Sequence, residues 1–153
     1  MIIVSTGYKF GLFGGTPFTQ MFLNGCIELY PGTMPTDPDQ PFSQAPIGRI
    51  TMNGGAYVHG NPANSLAYEL NGNGALYKPV NDSWVLSGLV SGTATWGRVF
   101  GGADTKQFSR TAGRVLFEVN PADSSGMFMT DPVIVPAMQR AVTFFLLGIP
   151  PFS

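Results

Sequence analysis

Glycine and proline interrupt this chain so often that no long helix is expected between them. The 153 residues include 20 Gly and 13 Pro, and these fall between short apolar runs rather than in one block. Turn-forming pairs such as Pro31-Gly32, Asn53-Gly54 and Gly101-Gly102 separate the runs. The pattern therefore predicts many short elements joined by turns.

Nine of the apolar runs have the length of β-strands and are bounded by turn residues. They occupy residues 25–30, 47–52, 57–59, 75–77, 83–87, 93–100, 114–119, 127–129 and 140–147. No series of helices alternates with them, so they predict an all-β fold, a jelly-roll-like β-sandwich. Residues 71–74 fit a hairpin turn or a flexible loop equally well, and residues 31–46 predict an extended, ordered loop.

One short helix is predicted at about residues 17–24. Thr16 is a good N-cap, Pro17 suits the first helical position, and Gly25 suits a left-handed stop. Three apolar side chains then fall on one stripe: Phe18, Met21 and Phe22. A helix of about eight residues is marginal alone, so it must dock on another element.

Residues 91–100, S-G-T-A-T-W-G-R-V-F, show the clearest alternation in the chain. Side chains two apart in a strand share a face, so Trp96, Arg98 and Phe100 fall together with Ala94. The opposite face receives Thr93, Thr95, Gly97 and Val99. Arg98 is expected to stack on an aromatic ring, pair with a carboxylate or reach a neighbouring subunit. We interpret the Trp96 face as one used for packing and assembly.

Charged side chains are scarce. They make up 11% of the chain, against about 25% in typical globular domains, and the net charge is −1. Two interpretations of this low charge remain open. The chain is either a secreted or β-rich domain with a polar, uncharged surface, or a subunit of a larger assembly. No basic block is present to follow a phosphate backbone, so nucleic-acid binding is not expected. A chain of this length fits one domain with a sizeable core.

Neither a membrane span nor a secretory leader is expected. The longest apolar run, residues 141–149, is too short to cross a bilayer. Residues 1–4 lack the basic and apolar regions of a signal peptide. Cys26, the single cysteine, cannot form an internal disulfide and lies in an apolar run, where it is expected to be buried. We expect a soluble product made in the cytosol.

No group of residues predicts catalysis. His59 is the only histidine and lies where a strand is expected to run into a loop, which favours a surface or hydrogen-bonded role over a catalytic base. Asp37 and Asp39 fit a turn-forming stretch. The other aspartates considered lie in predicted loops: Asp104, Asp123 and Asp131. No spacing predicts a zinc, calcium or phosphate site, so we expect neither an enzyme nor a cofactor or metal.

Five aromatic side chains raise carbohydrate binding as a second class of function. They are Tyr57, Tyr68, Tyr77, Trp84 and Trp96. Such rings either form a platform for sugar rings or pack in the core and between subunits. Only two are tryptophans, both within strand-like alternation, and this favours packing.

Several short motifs follow one another in the order seen in a known group of proteins. They are G-C-I-E-L-Y-P-G-T-M-P at 25–35, P-I-G-R-I-T-M at 46–52, W-V-L-S-G at 84–88 and S-G-T-A-T-W-G-R-V-F at 91–100. The series resembles small virion structural proteins of tailed bacteriophages, whose signature includes I-x-I-Y-x-G-x-x-P, a G-T-L-L-A-T-I-like strand and S-G-T-A-x-W-F-R. The resemblance runs from about Phe18 to Leu147. It departs at Gly97, which stands where that signature has an aromatic residue.

The resemblance implies a part of a virion, and a capsid decoration or cement protein fits it best. Such subunits are small, low in charge and often trimeric β-folds with arms that clasp neighbours. The chain would then bind the major capsid protein and stabilise the shell as a homo-oligomer, with a trimer favoured. Residues 1–16 would form an N-terminal arm and residues 17–153 a single β-sandwich domain. Alternatively, residues 1–4 are simply the first strand.

Other positions and one other function class remain open. A neck, tail or head-fibre component of the same particle is the first alternative. A carbohydrate-binding module that contacts the host surface is the second. Residues 149–153 are a candidate for a further arm.

Overall fold

A computed structural model of the chain describes residues 1–70, 75–123, 125–143 and 145–148, with residues 146 and 147 described in their backbone only. These ranges contain two helices, α1 (Thr6–Phe13) and α2 (Phe18–Met21), neither long and apolar enough to cross a membrane. The strands in the same ranges are β1 (Ile2–Val4), β2 (Ile27–Tyr30), β3 (Gly48–Met52), β4 (Glu69–Leu70), β5 (Ala75–Tyr77), β6 (Trp84–Gly88), β7 (Gly92–Thr93), β8 (Trp96–Phe100), β9 (Arg114–Val119), β10 (Gly126–Met127), β11 (Val133–Ile134), β12 (Gln139–Val142) and β13 (Leu146–Gly148). The predicted turn at 71–74 and the candidate arm at 149–153 lie outside the described residues.

One large sheet organises the fold. Its strand order is β1-β9-β8-β2-β3-β6-β12 with antiparallel neighbours, and β10 pairs with β9 in parallel. Two small antiparallel sheets accompany it, β11-β7 and β13-β5-β4. The all-β class is confirmed. The jelly-roll-like sandwich stays a prediction.

The predicted strand at 93–100 is divided in the structure because the chain changes partners. β7 pairs with β11, whereas β8 pairs with β2 and β9. Between them the Ala94 N–H donates to the Pro132 carbonyl, and the Thr95 N–H donates to a carbonyl at the end of β2. Ala94 consequently packs in the main core, so the common face that we predicted begins only at Trp96.

The other predicted strands form with the predicted ends or with slightly shifted ones, apart from two exceptions. Residues 140–147 divide into β12, on the large sheet, and β13, on β5. Residues 57–59 form no strand, and here the prediction was wrong. The chain leaves the sheet before this point, at a turn where Asn53 and Gly54 have φ values of 57° and 68°. The Tyr57 hydroxyl then ties the irregular segment to a backbone carbonyl of the loop after α2.

At the centre of the large sheet, in β2, β8 and β9, both faces are buried, but against different material. One face meets the main hydrophobic core, to which β2, β8 and β9 contribute Ile27, Val99 and Phe117. The other face is covered by residues 31–46, which contain no helix or strand. Phe42 of this segment packs against a small second cluster on that face. The segment is thus an ordered covering loop, as its composition predicts.

The first 13 residues belong to the folded body. β1 pairs with β9, which places Ile3 opposite Leu116. Ser5 is the N-cap of α1, because its side-chain oxygen accepts the Tyr8 N–H, and Tyr8 is buried. The first-strand alternative therefore describes residues 2–4 in this structure. A clasping role of the segment in an assembly stays a prediction.

Helix α2 is shorter than the predicted helix at residues 17–24. Its apolar stripe is formed as expected, because Phe18 and Phe22 are both buried with ring centroids 4.8 Å apart. The residue with left-handed backbone is Asn24, at φ 58°, one position before the predicted Gly25. Asparagine tolerates this conformation better than most residues, so the chain needs no glycine for the stop itself.

Ala137, between β11 and β12, has a positive φ of 63°. This conformation costs a residue with a Cβ about 1–2 kcal/mol, a cost that glycine avoids. We expect Ala137→Gly to raise the free energy of unfolding by about 0.5–1 kcal/mol in urea denaturation. The matched change Ala141→Gly, on the exposed part of β12, should lower it by about 0.5–1 kcal/mol. Shifts of the same sign would contradict the role given to φ.

Candidate functional site

A row of three charged side chains crosses the second face of the large sheet. Glu28 of β2 lies opposite both Arg49 of β3 and Arg98 of β8. Side chains opposite one another in neighbouring strands share a face, so the carboxylate stands between two guanidinium groups. Glu28 Oε1 lies 2.5 Å from Arg98 Nη2, and Glu28 Oε2 lies 2.8 Å from Arg49 Nη2. The Tyr30 hydroxyl also donates to Oε1, at 3.0 Å.

A second carboxylate, from the loop after β8, extends the row to β9. Asp104 accepts hydrogen bonds from Arg114 Nε at 2.9 Å and Nη2 at 2.7 Å, and its Oδ2 lies 3.0 Å from Arg98 Nη1. Arg114 also donates to three backbone carbonyls, those of Pro38, Gln40 and Gln107. The charged cluster (Glu28, Arg49, Arg98, Asp104 and Arg114) thereby fixes two loops on the sheet.

Aromatic rings pack around the charged cluster. The Arg98 guanidinium carbon lies 3.7 Å from the centroid of the Phe100 ring, a cation–π contact. On the same face Tyr30 and Trp96 stack with centroids 4.2 Å apart and ring planes within 16°. Phe42 packs edge-on against both of them. Low-polarity surroundings strengthen the ion pairs and make each unpaired charge costly.

Both carboxylates are held in the ionised form. Burial by itself raises the pKa of Glu28, but the charge of Arg98 and hydrogen bonds from Arg49 and Arg98 outweigh it, and the pKa is lowered below 4.5. Burial acts in the same direction on Asp104. The hydrogen bond from Arg114 and the charges of Arg98 and Arg114 outweigh it, and that pKa falls below 3.8. Neither group is protonated at neutral pH, so neither is placed to donate a proton there.

Positive charges outnumber negative ones at this site. Three arginines face two carboxylates, and Lys106, whose backbone has φ 65°, adds a fourth cation over the Tyr30 ring. Within the described part of the chain Arg98 Nε has no hydrogen-bond partner. Arg98 Nη1 forms its ion pair with Asp104 without hydrogen-bond geometry. A buried donor without an acceptor costs about 1–3 kcal/mol, so the unpaired donors and the excess of positive charge require an explanation.

A cleft of about 260 Å³ opens beside the charged cluster. Besides members of the cluster, its walls include Tyr57, His59, Thr105 and Lys106. His59 is exposed and lies parallel to the Phe100 ring, with ring planes 11° apart. We call this space the charged cleft. It brings His59 and Arg98, two residues singled out from the sequence, to one place.

A wider depression elsewhere is less specific. It measures about 590 Å³ and lies between residues 32–34 and 118–123. Its charged side chains are Glu118 and Asp123, and both are bound by the ammonium group of Met1, at 2.6 Å and 3.2 Å. Its carboxylates are therefore already paired, whereas the charged cleft has cations without counter-charges.

Known proteins give no further guide to this site. No protein-family model, curated protein or solved structure matches the chain. The resemblance to phage virion proteins therefore stays an expectation carried by short motifs. Its departure at Gly97 has a local reason, because a Cβ there would lie 2.4 Å from the fully buried ring of Phe117. Phe117 fills the space that a side chain at position 97 would need.

Arg98 makes two of the three contacts expected for it. It stacks on an aromatic ring and pairs with carboxylates, and with an exposed fraction of 1% it is enclosed within its own chain. Trp84 and Trp96 are also 1% exposed, and Tyr68 is buried. These three rings are packed in the core, as favoured from the sequence, and are not presented to a sugar.

The remaining candidates from the sequence do not join the charged cleft. Cys26 is fully buried as expected, and burial raises the pKa of its thiol, so the thiol stays protonated. Asp37 accepts the Asp39 N–H in the predicted turn, and Asp39 accepts the Thr6 N–H at the start of α1. Among the described residues, no group of His, Cys, Asp and Glu side chains could hold a metal ion.

Sequence reasoning found Arg98 but not its partners. Glu28 and Arg49 lie inside otherwise apolar predicted strands, and such residues are seldom buried without a partner. That placement is a usable signal for a buried ion pair. Asp104 was expected only as a loop residue, and nothing local distinguishes it from Asp123 or the other loop aspartates. Its role depends on how the loop folds back onto β9.

Proposed function

We propose that this protein is a structural component of a phage virion, a capsid decoration or cement protein that binds and stabilises the shell. A surface poor in charge and rich in exposed apolar side chains supports the proposal. The chain has eight Lys and Arg and nine Asp and Glu residues, all within the described ranges. Five of these 17 are buried: Glu28, Asp39, Arg98, Asp104 and Arg114. The surface therefore carries even less charge than the composition indicates.

Exposed apolar side chains gather where the β6–β7 turn meets β11. Leu89, Val90, Val133 and Val135 are each 41–52% exposed. Two backbone hydrogen bonds between Gly88 and residues 137–138 hold the turn against the segment that follows β11. We call these four side chains the β7–β11 patch. Grouped apolar side chains of this kind on a surface mark contacts with other proteins.

A second apolar surface lies on the helical segment, where Phe10 and Leu23 are 63% and 60% exposed. A subunit with more than one apolar surface is able to touch several shell subunits at once. Modest contacts then combine, because the first raises the effective concentration for the next. We propose a homotrimer of jelly-roll-like domains bound to the major capsid protein.

A reconstruction of the intact particle tests this function. The expected result places the chain on the outside of the shell in many copies, and particles stripped of it lose resistance to heat and low salt. A location at the neck or tail would contradict the decoration role while keeping the chain in the virion. Particles that lack the chain altogether would overturn the proposal.

Val133→Asp is expected to weaken binding of the purified protein to stripped particles at least about tenfold, because a buried unpaired charge costs more than 1.4 kcal/mol. Val80→Asp is the matched control, since Val80 lies in the β5–β6 connection outside the β7–β11 patch and is 87% exposed. Cosedimentation measures both, with circular dichroism to verify folding. Equal binding of the two variants would exclude the β7–β11 patch as the shell contact.

A further inference from the structure

The charges of the charged cleft are arranged in layers. The carboxylates lie deepest, with side chains of Glu28 and Asp104 that are 4% and 0% exposed. Arg98 is as deeply buried, at 2%. Two other cations lie nearer the solvent: the Arg49 side chain is 26% exposed and Lys106 is half-buried. A molecule that enters the cleft therefore meets positive charge before it meets either carboxylate.

Several donors of this site have no acceptor. Arg49 uses Nε and Nη2 on Glu28, and its Nη1 has no partner among the described residues. Lys106 Nζ carries three protons and donates to the Gln44 carbonyl at 3.1 Å. Beneath them lies Arg98, which is 1% exposed and has an unpartnered Nε. Donors from three cations thus surround one space.

The net charge of the charged cluster together with Lys106 is also positive. The charged cluster holds three guanidinium groups and two carboxylates, and Lys106 brings the excess to two positive charges. The pKa of Lys106 is lowered, first by burial and then by the neighbouring arginines against the pull of Glu28. An anion beside these groups would offset the cost of the unpaired donors and the repulsion among the cations, because each cation would gain a counter-charge.

We propose that the charged cleft binds a small oxyanion, a carboxylate or a phosphate, between Arg49 and Lys106. Its volume of about 260 Å³ limits the ligand to a small molecule or a single charged group. The Tyr57 and His59 rings line the same space. The imidazole of His59 offers a further contact, whereas the Tyr57 hydroxyl already donates to the Asn24 carbonyl. This site is independent of the virion role, because it is built entirely from residues of one chain.

A titration of the purified protein tests the site. ¹⁵N-resolved NMR spectra are recorded with sodium acetate and, separately, with sodium phosphate, at constant ionic strength set by sodium chloride. Saturable shifts centred on Arg49, Tyr57, His59 and Lys106 are expected with at least one anion, and the two arms distinguish carboxylate from phosphate. Shifts that do not saturate, or that appear equally with chloride, would overturn the proposal.

Lys106→Gln is expected to weaken anion binding about tenfold, the value of one charge-assisted hydrogen bond. Lys78→Gln is the matched control, because Lys78 is also half-buried and donates to a backbone carbonyl, but lies outside the charged cleft. The near-ultraviolet circular dichroism of each variant verifies its packing. If Lys106→Gln does not fold, the titration of the unaltered protein decides alone. Equal affinities of the two folded variants would contradict the assigned site.

Discussion

Asp104→Asn is expected to lower the free energy of unfolding by about 3–5 kcal/mol, because it removes a buried charge that two arginines depend on. Arg114 Nη2 lies 2.7 Å and Arg98 Nη1 lies 3.0 Å from its carboxylate oxygens, and all three side chains are at most 2% exposed. Asparagine keeps the shape of the side chain, so the loss is electrostatic. Urea denaturation at pH 7 measures it.

Asp131→Asn is the matched control for this prediction. Asp131 pairs with Arg140 at 3.1 Å, but these side chains are 60% and 36% exposed. Exposed ion pairs contribute at most about 1 kcal/mol, so this variant should stay within that limit. Comparable losses in the two variants would mean that burial of the charged cluster does not set its contribution.

Acid should weaken the fold through the same groups. The pKa values of Glu28 and Asp104 are lowered in the folded state, below their ordinary values of 4.5 and 3.8. Their stabilisation is therefore complete above those values and is lost as pH falls through the lower folded-state pKa values. The free energy of unfolding should accordingly fall below about pH 4. It should fall less steeply in Asp104→Asn, where one of the two carboxylates no longer titrates.

Gly25→Ala is expected to destabilise the fold by about 3 kcal/mol, the upper end of the usual cost of overpacking. A Cβ at this position would lie 1.7 Å from the Phe100 carbonyl oxygen. The backbone has little room to yield, because the Gly25 carbonyl accepts the Leu66 N–H and the Phe100 N–H donates to the Cys26 carbonyl. Thermal and urea denaturation measure the loss.

Gly148→Ala provides the control for this change. Gly148 lies in β13, and a Cβ there would meet no atom within 4 Å. Its replacement should change the free energy of unfolding by no more than about 0.5 kcal/mol. If both glycine variants were equally stable, the close approach of Gly25 to β8 would not be a constraint on the sequence.

Local pattern was sufficient where a strand keeps at least one neighbour along nearly its whole length, as β5 keeps β13 and β9 keeps β8. The predicted strands at 75–77 and 114–119 coincide with β5 and β9. It failed where the chain changes partners, as at Ala94, because no local signal reports which strand lies alongside. Period-2 alternation continues through such a switch, although the side chains on either side of it enter different clusters.

Helix α1 was missed because two of its eight residues are glycines, which argue against a helix. Both are placed by tertiary contacts: a Cβ on Gly7 would lie 2.3 Å from the Ala112 carbonyl oxygen, and one on Gly11 would lie 2.5 Å from Met21 Sδ. Close packing against the loop before β9 and against α2 thus outweighs helix propensity. The caps alone, Ser5 before the helix and Gly14 after it, gave a readable signal.

The charged cluster shows a similar limit. Parity correctly placed Trp96 and Arg98 on one face, which follows from strand geometry alone. Glu28, the ion-pair partner of Arg98, is 70 residues away in the chain. It meets Arg98 only because β8 and β2 are neighbours in a sheet whose spatial order differs from the chain order. Predicting that pairing requires the topology, which periodicity does not supply.

The position of β1 has a consequence for how the protein is made. Ile2 lies opposite Phe117, so β1 can pair only after the much later strand β9 has left the ribosome. The pairing of β2 with β8 likewise joins distant segments. Contacts so far apart in sequence slow folding to about milliseconds to seconds, since long loops must close before any contact compensates for them. The large sheet therefore cannot form until β9 has been made, and the growing chain spends that interval with its apolar strands unpaired.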